Sequence, residues 1–163
     1  MTSVLLELVR HKTWATAKLI ELCDSLDPAL ADATSPGTYG TIRQTLVHLV
    51  NADRSYFRRI SGEEPWDRMD EQTTDLQTVA QRFLEIAPRW ELLAQDASLA
   101  DRDLFYPKGE VVKAAAVFAQ SIHHGDAHRA HVLSILGARG IEVPELDLWE
   151  FALEVGLLTP AKG

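Results

Sequence analysis

Four of the chain's six histidines fall within twelve residues, Gln120-Ser-Ile-His-His-Gly-Asp-Ala-His-Arg-Ala-His131. His124 and His128 are four apart, so on a helix they stand one above the other on the same face. Two imidazoles placed in this way can converge on one metal ion, each nitrogen coming within about 2.0–2.1 Å of zinc. Two ligands hold a metal weakly, so at least one more must come from elsewhere in the chain. His131 lies on the same side of the helix as His124 and His128, within about 60° of arc, whereas His123 points about 100° away and reads as a surface residue. The helical zinc motif of metalloproteases carries a Glu after its first His. Gly125 stands there, so that arrangement is absent. The competing reading is of half-buried histidines hydrogen-bonded to their helical neighbours.

The elements that must position these residues follow from hydrophobic spacing. Residues 3 to 24 place Leu5, Leu8, Val9, Lys12, Ala15, Leu19, Leu22 and Cys23 on one broad helical face, and Pro28 stops the run. A second helix begins near residues 38 to 41 and reaches Ile60, closed by Ser61-Gly62. Its outward face is read as Arg43, Gln44, Asn51, Arg54, Ser55 and Arg58, with Ile42, Leu46, Leu49, Ala52, Tyr56 and Ile60 opposite. A third helix starts from Thr73-Thr74-Asp75 and runs to about Ala97, with Pro88 expected to kink it or end it early. Residues 103 to 112 read as an extended or hairpin-like connection turning at Pro107 and Gly109. The fourth helix covers about Lys113 to Leu136, and a short amphipathic tail covers Leu146 to Leu153.

Four helices of roughly 20 residues predict an all-α four-helix bundle with a short C-terminal helix, in a single domain over residues 1–163. A 20-residue helix is about 30 Å long, and a dozen extended residues reach about 40 Å. The first two connections can therefore cross the bundle lengthwise, and spacing alone leaves the order of the helices open.

Outside the cluster, His48 falls at the boundary of the inward face of the second helix, beside the small Thr45 and Ala52. His11 holds a similar boundary position on the first helix. Either could reach sideways to a neighbouring helix, so both are candidates for a further ligand.

Composition narrows the field. A net charge of −8 argues against nucleic acid, whose phosphates call for a basic patch. Arg54, Arg58 and Arg59 cluster, but Glu63, Glu64 and Asp67 follow, so they read as a solvated face. With Cys23 alone there is no intramolecular disulfide, and its apolar neighbours mark it as a buried bystander. No apolar run approaches the roughly 20 residues that span a bilayer, and the N-terminal residues lack a signal-peptide pattern. The expectation is a cytoplasmic protein acting on a small molecule, with no nucleic-acid or membrane partner. Trp66, Trp90 and Trp149, taken as exposed, suggest a homodimer.

The segment Thr41-Ile-Arg-Gln-Thr-Leu-Val-His-Leu-Val-Asn-Ala-Asp-Arg-Ser-Tyr-Phe57 resembles the second-helix signature of DinB/YfiT-like proteins, where a His sits in a tLxHlxxAE context. His124-Gly-Asp-Ala-His-Arg129 is similar to that family's His-x-x-x-His-Arg segment. His11-Lys-Thr-Trp-Ala-Thr-Ala-Lys-Leu19 and Leu146-Asp-Leu-Trp-Glu-Phe-Ala152 resemble its first helix and C-terminal tail. The resemblance implies an up-down-down-up bundle and a divalent metal, often zinc or nickel, held by three histidines. Carried over residue by residue, these are His48, His124 and His128. The chain departs from the pattern at Asp53, where Glu is frequent, at Thr16, where Asn is, and at Ala127, where a further His is. Relatives of this kind include transferases that use a low-molecular-weight thiol, isomerases and proposed hydrolases. The implied function is activation of a small thiol or water by the metal, with a non-catalytic metal-binding or stress-response module as the alternative. Arg129 is expected to pair with Asp53 and so to orient the fourth helix.

Overall fold

The structure, a computed structural model, describes residues 3–159. Four long helices form: α1 (Val4–Ser25), α2 (Ile42–Ser61), α3 (Leu76–Gln95) and α4 (Ala114–Gly137), followed by the short α5 (Leu148–Glu154). Between α3 and α4 lies an antiparallel pair, β1 (Asp103–Phe105) and β2 (Val111–Lys113), with Leu104 opposite Val112. Single 3-10 turns at Pro28–Asp32 and Ala97–Asp101 close the segments after α1 and α3.

Local chemistry sets the ends of these helices. The Thr41 hydroxyl accepts from the backbone of Gln44, whose side chain accepts in return from the Thr41 N–H. This reciprocal cap satisfies two donors that the first turn of α2 leaves without helical partners. At the other end Gly62 takes φ 80°, the left-handed conformation that lets the chain leave the helix. Asp75 caps α3 by accepting from the N–H of Thr78 at 2.7 Å. Pro88 lies inside α3, and the helix continues past it to Gln95. It does not end early, because Phe83, Ile86, Trp90 and Ala94 on both sides of the proline are buried in the same core.

The direction of each helix follows from which residues share a level. Lys12, in the first half of α1, meets Asp53, past the middle of α2. Cys23, near the end of α1, shares a pocket with Arg43 and Leu76, at the starts of α2 and α3. Trp90, late in α3, packs edge-on against Phe57, late in α2, and against Phe118, early in α4. Thus α2 and α3 run parallel to each other and antiparallel to α1 and α4, the up-down-down-up order. The principal packing partners are α1 with α3 and α4, and α2 with α3 and α4, which joins the last helix to the side of the second.

Three sequence expectations are corrected here. Asn51 is not on an outward face: it is buried and clamps the connection between α2 and α3, donating to the Met69 carbonyl at 2.9 Å and accepting from the Met69 N–H at 3.0 Å. A short polar side chain can lie inside when a returning backbone satisfies it. Trp66 and Trp90 are core residues, at 8% and 0% exposure, and only Trp149 is exposed, so the aromatic argument for a dimer interface loses two of its three members. Arg54 is half-buried, donating to the Trp66 carbonyl and pairing with Glu64, and so anchors the same connection instead of lying on a solvated face. Cys23 is buried, and burial pushes its thiol up to about 12. Among the described residues, no helix is long and apolar enough to cross a membrane.

Candidate metal centre

The α2–α4 contact brings His48 against His124 and His128. His48 Nε2 lies 3.2 Å from His124 Nε2, and one nitrogen from each of the three rings falls within 4.8 Å of the others. Two ligands on a tetrahedral zinc, each about 2.05 Å from it, stand about 3.3 Å apart, so the first pair is already at ligand spacing. The ring centroids of His124 and His128 are 4.3 Å apart, and those of His48 and His128 are 4.8 Å apart. Among the described residues this is the group of three ligating side chains that could hold a metal ion.

The connections supply what orients His48. Tyr39, on the segment leading into α2, stacks on the His48 ring at 4.2 Å and lies edge-on to His128 at 5.1 Å. Its hydroxyl donates to Glu71 Oε2 at 2.9 Å. With its one proton directed there, its oxygen accepts from His48 Nδ1 at 3.0 Å. Glu71 Oε1, 3.4 Å from the same nitrogen, can also only accept. Both contacts place the proton on Nδ1 and leave the Nε2 lone pair facing the other histidines. Burial pushes the Glu71 carboxyl up, but hydrogen bonds from Tyr39, Arg68 and His48 outweigh it and hold it below the usual carboxylate range.

Electrostatics keep the α4 imidazoles neutral. Burial, and then the neighbouring His124 and His48, pull His128 down to about 4. His124 is lowered by burial and by His48. A neutral imidazole is the form that binds a metal, so the donor set fits a divalent ion. Beside the rings a pocket of about 230 Å³ opens, lined by His48, Asn51, Ala52, Ser55, Tyr56, Arg68 and His124.

The remaining sequence candidates lie elsewhere. His123 is exposed, as expected. The His11 ring nitrogen meets the Leu146 carbonyl at 2.8 Å and the ring packs against Phe151, so His11 fastens the C-terminal segment. His131 lies edge-on to His128 at 5.4 Å and is not part of the convergent set.

The expected Arg129–Asp53 pair does not form. Asp53 accepts from Lys12 Nζ at 2.7 Å, with both side chains buried. Arg129 donates to Thr16 Oγ1 at 2.8 Å and pairs with Asp126 on its own helix. Lys12 enters from α1 directly opposite Asp53 and takes the carboxylate. It sat in the apolar stripe of α1 without an evident partner, and that was the available signal. Tyr39 and Glu71 gave no comparable signal, since both lie in connections whose path depends on the assembled bundle.

The DinB superfamily model matches residues 12–132, from α1 through most of α4. The chain belongs to the DinB superfamily. Among solved structures, YfiT from Bacillus subtilis, described as a probable metal-dependent hydrolase with an unusual four-helix bundle topology, matches with a TM-score of 0.68 at 20% identity, over 87% of this chain and 92% of its own. A DinB-like protein from Bacillus cereus matches at 0.67 and 17% identity, over 86% of this chain and 94% of its own. A mycothiol-dependent maleylpyruvate isomerase matches at 0.57 and 16% identity, over 95% of this chain and 72% of its own. At these identities the likeness establishes the DinB fold. No curated protein sequence matches this chain.

Proposed function

We propose that this DinB protein is a metal-dependent enzyme in which His48, His124 and His128 hold one divalent ion, zinc or nickel, beside a small-molecule pocket. The observation that carries this reading is the convergence of three imidazoles from α2 and α4, two of them at the 3.2 Å spacing of shared ligands. Imidazole suits zinc and nickel alike. Three protein ligands leave room for water or substrate, the layout of catalytic rather than structural sites. A metal bound there would lower the pKa of a coordinated water or small thiol and stabilise the resulting anion.

The chain's own residues supply the rest. Tyr39 and Glu71 hold the His48 ring in the tautomer that presents Nε2. Tyr56, edge-on to His124 at 5.9 Å, forms an aromatic wall of the pocket. The Asn51 amide is already committed to Met69 and Arg68 is paired with Glu71, which leaves the Ser55 hydroxyl as the uncommitted polar side chain facing the pocket. Asp126 pairs with Arg129 and takes no part as a base. The chemistry that fits is attack of a water or a low-molecular-weight thiol on an electrophilic small molecule. The descriptions of two structural neighbours, one as a metal-dependent hydrolase and one as a mycothiol-dependent isomerase, are consistent with either nucleophile.

Elemental analysis and zinc titration of the purified protein test this directly. One equivalent of metal is expected, lost in His48→Ala and in His128→Ala while helicity is retained. Turnover of an electrophile panel, with thiols or water as nucleophile, should stop on chelation and return with zinc. Failure to bind a stoichiometric metal would remove the reading.

A further inference from the structure

The pocket at the histidines is bounded on one side by Ser55. A second pocket, of about 380 Å³, starts from the same serine and is lined by Ser55, Arg58, Arg59, Gly62, Phe105 and Pro107. His48, Ala52, Ser55, Arg59 and Gly62 are spaced by four, three, four and three residues, so they form one continuous stripe along α2. From His48 to Arg59 the helix rises about 16 Å.

The charge along this stripe runs against that of the chain. The chain carries −8, yet the linings of the two pockets include Arg58, Arg59 and Arg68 and no carboxylate. Two of these arginines are matched from outside the groove: Arg58 by Glu64 at 2.6 Å and Arg68 by Glu71 at 2.9 Å. Arg59 makes no ion pair among the described residues. Its guanidinium lies 3.8 Å above the Tyr106 ring, which holds the cation in place while leaving its donors open. Next to it Phe105 is 77% exposed, although it belongs to a strand whose neighbour Leu104 is buried. An unmatched cation beside an uncovered aromatic ring suits a ligand with an apolar body and an anionic end.

We propose that the two pockets form one groove along α2 and that its occupant is an elongated organic carboxylate, with its reactive end at the histidines, its apolar middle on Phe105 and Pro107, and its carboxylate on Arg59. The single guanidinium matches a monoanion, which it can bind through two parallel N–H donors. This rests on the reading of the histidines as a metal centre.

The test uses the zinc-loaded full-length chain and calorimetry with mercaptopropionate, mercaptohexanoate and mercaptoundecanoate, and with the methyl ester of the longest. The thiol anchors each probe at the metal, and the chain length reports where the carboxylate lands. The longest acid should bind tightest and its ester roughly fivefold more weakly, the scale of a partly exposed charge pair. Arg59→Gln should remove the difference between acid and ester. Phe105→Ala should weaken the long acid and the ester alike. Neither substitution should change zinc affinity, and both residues are exposed, so the fold should persist. Equal binding of acid and ester to the unaltered protein, or a preference that survives Arg59→Gln, would overturn the groove while leaving the metal centre standing. A chain that takes up no zinc would overturn the metal centre, and the groove with it.

Discussion

One proton decides whether His48 can serve as a ligand. An imidazole that carries its hydrogen on Nε2 presents a donor, not a lone pair, to a metal. Here the Tyr39 hydroxyl gives its hydrogen to Glu71 and accepts from Nδ1, so Nε2 is left free. Groups that orient a metal-bound histidine in this way are typically worth 10- to 100-fold in affinity. Tyr39→Phe keeps the ring stacked on His48 but deletes the oxygen, and zinc affinity measured against a competing chelator is expected to fall by about tenfold. The double variant Tyr39→Phe, Glu71→Ala should lose more, since the carboxylate 3.4 Å away is the remaining acceptor. Unchanged affinity in both would show that the ring is held by packing alone. His124 and His128 were legible in the sequence because their spacing is helical, and His48 through the family resemblance. Tyr39 and Glu71 were not, because they lie nine residues before and twenty-three after His48 and meet it only when both connections fold back.

At the scale of the helix, α1 reaches α2, α3 and α4 through charges that have left water. Lys12 is 1% exposed, bonded to Asp53 on α2 and lying 4.1 Å over the Trp90 ring of α3. Burial pulls its ammonium below the ordinary value, and Asp53 opposes that pull. Arg129 of α4 meets Thr16 and the Lys12 carbonyl on α1. Gly125 makes the approach feasible: a Cβ there would stand 2.9 Å from Arg129 Nη1 and 3.5 Å from Lys12 Cγ. The position where a zinc protease motif would carry Glu is here a glycine against which the Arg129 guanidinium lies, with the Lys12 stem in ordinary contact beside it. Lys12→Met keeps the stem but leaves the Asp53 carboxylate buried alone, and is expected to destabilise the fold by about 3–5 kcal/mol in urea unfolding. Adding Asp53→Leu should restore much of that loss, because the cost lies in the unpaired charge. A small effect of Lys12→Met alone would mean that Arg129 or water takes over the carboxylate.

For the molecule as a whole, the site is a source of pH dependence. His128 titrates at about 4 in the folded chain against an ordinary 6.5, and His124 is shifted in the same direction. As pH falls below about 6.5 the unfolded chain takes up these protons before the folded one does, so acid favours unfolding. The contribution of these imidazoles is therefore complete above about 6.5 and is lost progressively toward about 4. The urea midpoint of the metal-free protein should fall across that window, and His128→Gln should flatten the fall. A midpoint independent of pH in both proteins would show that the rings are not desolvated as described. Bound metal should deepen the acid sensitivity, since protons and metal compete for the same nitrogens.

The sequence by itself determined the four helices, the capping segment Thr73-Thr74-Asp75 of the third, the turn at Pro107 and Gly109 and the pair His124 and His128. All of these depend on spacing or on chemistry within a few residues, and the family resemblance added His48 and the order of the helices. Tertiary structure decided the rest. It turned Asn51, Trp66 and Trp90 inward, gave Asp53 to Lys12 instead of Arg129, sent His11 to the C-terminal segment and set Tyr39 and Glu71 behind His48. A polar side chain's partner is whichever group the packing of distant segments brings within about 3 Å, and local periodicity holds no record of that distance.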